Sequence, residues 1–155
     1  MPHIHDKIDF TVETYIVYKN KVLLRKHDKL RIWLSVGGHI ELDENPNQAA
    51  IREVKEEVGL DIVLDNSRQL FNTKTETYQE LIPPYFLNIH QSTKTHQHIS
   101  LIYFAKTKSD KISQNKKNEL SEDIRWFTKE DLEKDNEIHK IIKLYALEAL
   151  KKLAK

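Results

Sequence analysis

A chain of 155 residues with a formal net charge of +1, 32% charged residues and no cysteine fits one domain over residues 1–155, long enough to bury a substantial core. With no long block of one sign, nothing draws it to a nucleic-acid polymer or an anionic membrane, and the missing cysteine excludes disulfides and thiolate chemistry. No stretch approaches 18 apolar residues and Met1 to Asp6 lacks an apolar signal core, so a cytoplasmic protein is expected.

Ile8 to Tyr18 is rich in β-branched and aromatic residues and reads as a strand. Lys19 to Lys21 turns the chain, and Val22 to Lys26 returns as the second arm of a hairpin. Arg25 and Lys26 end that arm. Arg25 offers a bidentate fork for substrate phosphates, with a solvated strand-end charge as the alternative. His27 to Arg31 reads as a loop, and Ile32 to Val36 as a strand delivering the chain into Gly37-Gly38. Trp33 within it reads as core rather than a base-stacking platform.

The stretch from Gly37 to Leu60 holds all three glycines of the chain. Asn45 is placed to cap a helix, with Pro46 at its first position and Gln48 completing a capping box; Gly59 closes it. At 100° per residue, Ile51, Val54 and Val58 form an apolar stripe. Glu53, Glu56 and Glu57 share an adjacent face with Ala49 and Ala50. Like charges at these spacings oppose one another by roughly a few tenths of a kcal/mol per pair, and anions near a helix C-terminus cost roughly 0.3–1 kcal/mol each. Arg52 and Lys55 offset part of this. A hard divalent cation such as Mg²⁺, shared with substrate phosphates, would relieve the rest; a solvated acidic face is the alternative.

This stretch resembles the signature of the Nudix hydrolases (MutT-like): Gly, five residues, Glu, seven residues, Arg-Glu, an aliphatic, any residue, Glu-Glu, any residue, Gly, an aliphatic. Gly38, Glu44, Arg52, Glu53, Val54, Glu56, Glu57, Gly59 and Leu60 fill every fixed position. Val36 stands where members usually carry proline. The resemblance implies an α/β fold, a Nudix-type α/β/α sandwich with a mixed sheet and a catalytic loop-helix. It also implies hydrolysis, dependent on Mg²⁺ or Mn²⁺, of a diphosphate bond in a nucleoside diphosphate linked to another group, by metal-activated attack of water on phosphorus. Carried over by residue, Glu53, Glu56 and Glu57 would bind metal with the Gly37 carbonyl, and Glu53 or a carboxylate outside the stretch would activate water. Arg52 would orient Glu53, Glu44 would brace the loop, and Gly38 would let substrate approach. A nucleotide-sensing module without catalysis is the other class, disfavoured by an intact signature. The isomerases of this fold use a cysteine that this chain lacks.

Asp61 to Leu64 reads as a short strand and Gln69 to Tyr78 as another. Glu76 and Glu80 are candidates for the carboxylate some relatives supply from outside the signature, or solvated surface residues. Tyr78 lies at an offset where some members acting on dinucleoside polyphosphates place a substrate tyrosine; core packing is the alternative. Pro83-Pro84 breaks the ladder. A hairpin follows from Tyr85 to Ala105, turning at Gln91 to Thr95. His96 and His98 point the same way, with His90 on the opposing arm. They suit substrate contact; a transition-metal site is disfavoured because the sequence shows no fourth ligand. Lys106 to Ser121 reads as a surface loop and Glu122 to Phe127 as a strand. Thr128 caps a helix with Asp131 at its third position. An amphipathic helix from about Glu137 to Leu153 presents Ile138, Ile141, Ile142, Tyr145, Leu150 and Leu153 to the sheet.

Overall fold

The computed structural model describes residues 3–27, 29–114 and 123–155. Strand β1 (Ile8–Tyr18) is the axis of a mixed sheet. One edge pairs antiparallel with β4 (Val36–His39), from Thr11↔His39 to Thr14↔Val36, and turns tightly into β2 (Lys21–Lys26) at Val17↔Val22. Its other edge runs parallel to β7 (His96–Thr107) from Ile8↔Gln97 to Val17↔Lys106. Strand β2 also carries β3 (Trp33–Leu34) and β8 (Asp123–Thr128). Strand β7 carries β5 (Ile62–Leu64) and β6 (Phe86–Thr93).

Helix α1 (Pro46–Val58) lies on one face of the sheet and α3 (Lys140–Leu153) on the other, giving the expected α/β/α sandwich; α2 (Lys129–Lys134) packs beside α3. The two faces follow from the period of two in β1. Val12 and Ile16 pack with Ala49, Ala50, Val54 and Val58 of α1, whereas Tyr15 and Val17 pack with Ala146, Ala149 and Leu150 of α3.

The α3 face changes character along its length. Towards one end β1 and β7 present Tyr15, Val17, Ile102 and Phe104, all in the core. Towards the other they present Asp9, Thr11, Glu13, His96, His98 and Ser100, and α3 packs on the apolar half. A sheet face that is half polar cannot be sealed by an apolar helix without desolvating those groups. The uncovered half forms the wall of a cleft.

Several sequence expectations shift. The capping box of α1 is present, with Asn45 accepting from the Gln48 N–H at 3.0 Å and Gly59 at φ 72°. Ile51, however, is 46% exposed, and the buried side is Ala49, Ala50, Glu53, Val54 and Val58. The small alanines bring the helix close enough to the sheet to bury Glu53. The predicted strand at residues 32–36 is broken at Ser35 and continues through the paired glycines to His39. Residues 69–78 form no strand, only an isolated bridge between Lys74 and Gln79. Helix α3 starts at Lys140, because Asp135 Oδ1 accepts from the Glu137 and Ile138 N–H groups and holds that segment in a turn. Ile141 is exposed while Ile138 is buried. The surface loop read at Lys106 to Ser121 begins later, since β7 continues to Thr107, and residues 115–122 lie outside the described residues. Among the described residues no helix is long and apolar enough to cross a membrane.

Candidate active site

Arg52 is the hub of a carboxylate network beside the cleft, at the mouth of α1. Its Nε and Nη2 donate to the two oxygens of Glu44 at 2.9 and 2.6 Å, a bidentate fork. Nη1 donates to Glu53 Oε1 and Glu56 Oε2, each at 3.0 Å, and Nη2 also reaches the His39 carbonyl at 3.1 Å. Glu44 Oε1 in turn accepts the Glu41 N–H at 3.0 Å, so the loop is tied to the helix through one guanidinium. The third box carboxylate is matched from another element: Arg25 Nε, on β2, stands 3.0 Å from Glu57 Oε2. Lys55, expected to offset these charges, turns away to Asp61 at 2.9 Å.

Each paired glycine has its own steric reason. A Cβ on Gly37 would collide with the Val12 carbonyl oxygen on β1, and a Cβ on Gly38 would occupy the space of the Glu53 carboxylate. The missing side chains are what let the strand, the turn and the buried carboxylate close on one another.

Glu53 is only 4% exposed. Burial pushes its carboxyl above the usual carboxylate range even though Arg52 pulls the other way. The fork from Arg52 holds Glu44 below that range. Two neighbouring acids are thereby driven apart, one towards accepting a proton and one towards permanent charge. Glu53, Glu56 and Glu57 offer only oxygen, the chemistry that suits a hard divalent cation, and in this structure guanidiniums hold them, Glu53 and Glu56 on Arg52 and Glu57 on Arg25.

The cleft beside them has a volume of about 550 Å³, within the range of small-molecule sites. Arg25, Gly37, Gly38 and Glu57 line it together with Glu13, which pairs with Gly37 across β1 and β4, and Thr11, Ser100, His39, His90 and His98 line it further along. Of the residues expected at the substrate, Arg25, Gly38 and His98 therefore face this space. Arg25 is buried against Glu57 rather than solvated at a strand end. His96 is 2% exposed and lies behind the wall, with Nδ1 3.2 Å from the Asp6 carbonyl oxygen and Nε2 3.1 Å from Asp9 Oδ2. Glu76 is exposed, and Tyr78 is 55% exposed with its hydroxyl donating to Glu80 Oε1 at 2.8 Å. Tyr78 thus packs in no core, and neither residue lines the cleft. Trp33 is core, as expected, edge-on to Phe127.

Asp9, Glu13 and His39 were missed. Asp9 is fully buried at the start of β1, accepting the His5 and Ile4 N–H groups at 2.7 and 3.1 Å. Burial opposes its charge, but those N–H groups and the nearby His39 and His96 outweigh it and hold the carboxyl low. Burial pushes Glu13 up to about 7 and His98 down to about 4. Burial lowers His39 as well, with Asp9 pulling back. The available signal was the period of two: Asp9, Thr11 and Glu13 are polar at alternate positions of β1, and mark the half of that face which α3 does not cover.

Comparison with known proteins is consistent across sequence and structure. The family model described as the NUDIX domain matches residues 12–147. The chain is 44% identical over 73 residues to the dihydroneopterin triphosphate diphosphatase of Haemophilus influenzae, and 45% identical over 47 residues to that of Escherichia coli. These matches span 46% and 30% of this chain and 46% and 31% of those proteins, so under half of either curated relative is matched. A NUDIX family hydrolase from Clostridium perfringens superposes with a TM-score of 0.81 at 35% identity, over 92% of this chain and 96% of that one. An Ap4A hydrolase from C. elegans shares the fold at a TM-score of 0.63 and 19% identity, over 93% of each chain.

Proposed function

Because the chain belongs to the Nudix hydrolase family, whose members cleave phosphoric anhydride bonds, we propose that it hydrolyses, with Mg²⁺ or Mn²⁺, a diphosphate bond in a nucleotide-like small molecule. The observation that carries this reading is the Arg52 network, which holds Glu44 and Glu56 in fixed relation to a buried Glu53 whose carboxyl burial raises. Glu53, Glu56, Glu57 and the Gly37 carbonyl would hold the cation. When bound, it lowers the pKa of water and neutralises charge on the diphosphate.

The chain's own residues do the rest. Arg52 binds Glu53 through Oε1; Oε2, outside that contact, is assigned the proton of the attacking water. The water attacks phosphorus in line and expels a phosphate-containing leaving group. Gly38, lacking a side chain, makes room for the Glu53 carboxylate, while Arg25 orients Glu57 from β2. Fixing these groups before substrate arrives removes an entropic cost from the reacting complex. The reading takes residues 1–155 as one domain, supported by helices packed on both faces of one sheet, and the compartment as cytoplasmic.

The names of the curated relatives put a pteridine triphosphate first among substrates, ahead of nucleoside triphosphates, dinucleoside polyphosphates and sugar nucleotides. A panel of these compounds assayed with Mg²⁺ and with Mn²⁺, reading release of phosphate or pyrophosphate, tests the proposal. Turnover should collapse in Glu56→Gln and in Glu57→Gln while both variants stay folded. Full turnover in both would overturn it.

A further inference from the structure

Beyond the box carboxylates, the end of the sheet carries a second group of metal-ligating side chains. Asp9 on β1, His96 and His98 on β7, and His3 ahead of β1 each offer one ligand atom, and those atoms all lie within 4.8 Å of one another. We propose that these four residues form a separate site for a first-row transition cation of the Zn²⁺ type, pinning the segment before β1 to the rim of the cleft.

Hydrogen bonding alone accounts poorly for this group. Asp9 Oδ2 is approached by the Ile4 N–H at 3.1 Å, His39 Nε2 at 3.1 Å, His96 Nε2 at 3.1 Å and His3 Nδ1 at 3.4 Å, while Oδ1 takes one bond from the His5 N–H. Four nitrogens crowd an oxygen that has two lone pairs. His96 sharpens the problem, because an acceptor faces each of its ring nitrogens: the Asp6 carbonyl at Nδ1 and the carboxylate at Nε2. A neutral imidazole has one N–H, so one contact needs a second proton or a cation. A ring that donates one N–H to a backbone carbonyl and turns its other nitrogen to a shared point is the arrangement of a metal-bound histidine. The Nε2 of His98, buried, has no hydrogen-bond partner, and neither ring nitrogen of the buried His39 makes a well-directed bond.

The donor set decides the class of ion. Three imidazoles and one carboxylate suit Zn²⁺ and its neighbours, whereas Mg²⁺ takes oxygen. With metal–ligand bonds of about 2.0–2.2 Å, the ligands of a tetrahedral site stand about 3.3–3.6 Å apart. The 3.1 and 3.4 Å contacts already made to Asp9 need only small rotations to meet that. The fourth ligand that His96 and His98 lack in the sequence comes from Asp9, through the parallel pairing of β1 with β7.

The test uses the untagged chain of residues 1–155 and the metal alone. After equilibrium dialysis against micromolar ZnCl₂, wild type and the double variant Glu56→Gln, Glu57→Gln should each retain about one zinc per chain by elemental analysis. His98→Ala and His3→Ala should each weaken retention by tenfold or more, with His3→Ala keeping wild-type secondary structure by circular dichroism. Co²⁺ in place of Zn²⁺ should give visible d–d bands of tetrahedral strength in wild type and in the box variant, absent from His98→Ala. No zinc retained by wild type, zinc lost with the box carboxylates, or zinc indifferent to His3 and His98 would each overturn the site.

Discussion

Beside the cleft at α1, Glu44, Glu53 and Glu56 gather on Arg52 and Glu57 on Arg25, a region rich in oxygen drawn mainly from one loop and one helix, with two guanidiniums as its counter-charge. At the other end, Asp9 stands alone among imidazoles from residues 3, 39 and 96, drawn from separate parts of the chain. The first cluster has carboxylates in excess, the second imidazole nitrogens. Cations of different hardness are therefore favoured at the two ends, and only the first cluster holds an acid raised by burial next to an oriented partner.

The largest expected effect breaks the first cluster. Glu53→Gln should lower kcat by roughly 10²–10⁴-fold, the usual worth of a positioned acid–base group, with little change in thermal stability. Arg52→Lys keeps the charge and loses the fork, so kcat should fall by roughly tenfold or more, and the urea midpoint should also drop, since Glu44 and Glu53 lose fixed partners. At the opposite end, Asp9→Asn should cost stability rather than chemistry, about 2–4 kcal/mol in denaturant unfolding, because several donors lose one buried charge. A kcat loss in Asp9→Asn as large as that in Glu53→Gln would erase the contrast between the ends.

Glu13 gives a pH signature between them. Its carboxyl is raised to about 7 in the folded protein, so between its ordinary value of 4.5 and 7 the folded state binds the extra proton. Stability contributed by the protonated group is complete below that window and is lost as pH rises through it. Partial exposure trims the effect to roughly 1–3 kcal/mol. Glu13→Gln should therefore gain stability relative to wild type as pH rises from 5 to 8, read as a widening gap between their unfolding temperatures; His98, held low by burial, acts with the opposite sign in both proteins and cancels from that difference. Smallest of all, Asn45→Ala removes the cap of α1 and should cost about 1 kcal/mol, read by thermal unfolding.

Much of the α1 cluster was legible in the sequence because helix spacing, the cap and the glycines fix its geometry within one continuous stretch. Glu53 lies three and four residues before Glu56 and Glu57, and Arg52 lies four before Glu56, spacings that make them neighbours on a helix. That Ile51 faces solvent and Glu53 is buried was not legible, because the helix is rotated by the fit of Ala49 and Ala50 against β1 rather than by its own apolar stripe. Tyr78 and residues 69–78 were misplaced for a related reason: strand-like residues make a strand only where an edge is available to pair with. Arg25 could be placed near the signature but not on Glu57, a contact set by the packing of β2 against α1.

The sequence by itself determined the chemistry that depends on local spacing: the capped helix, the tight glycine turn, the acid and guanidinium set, and the strands whose alternation marks two faces. The tertiary structure alone decided what lies opposite what. Parallel pairing of β1 with β7 carries Asp9 to His96 and His98 across long stretches of chain, and α3 stops where that face turns polar. Register and helix coverage are settled by burying apolar area over the whole sheet, a sum to which no single segment holds the answer.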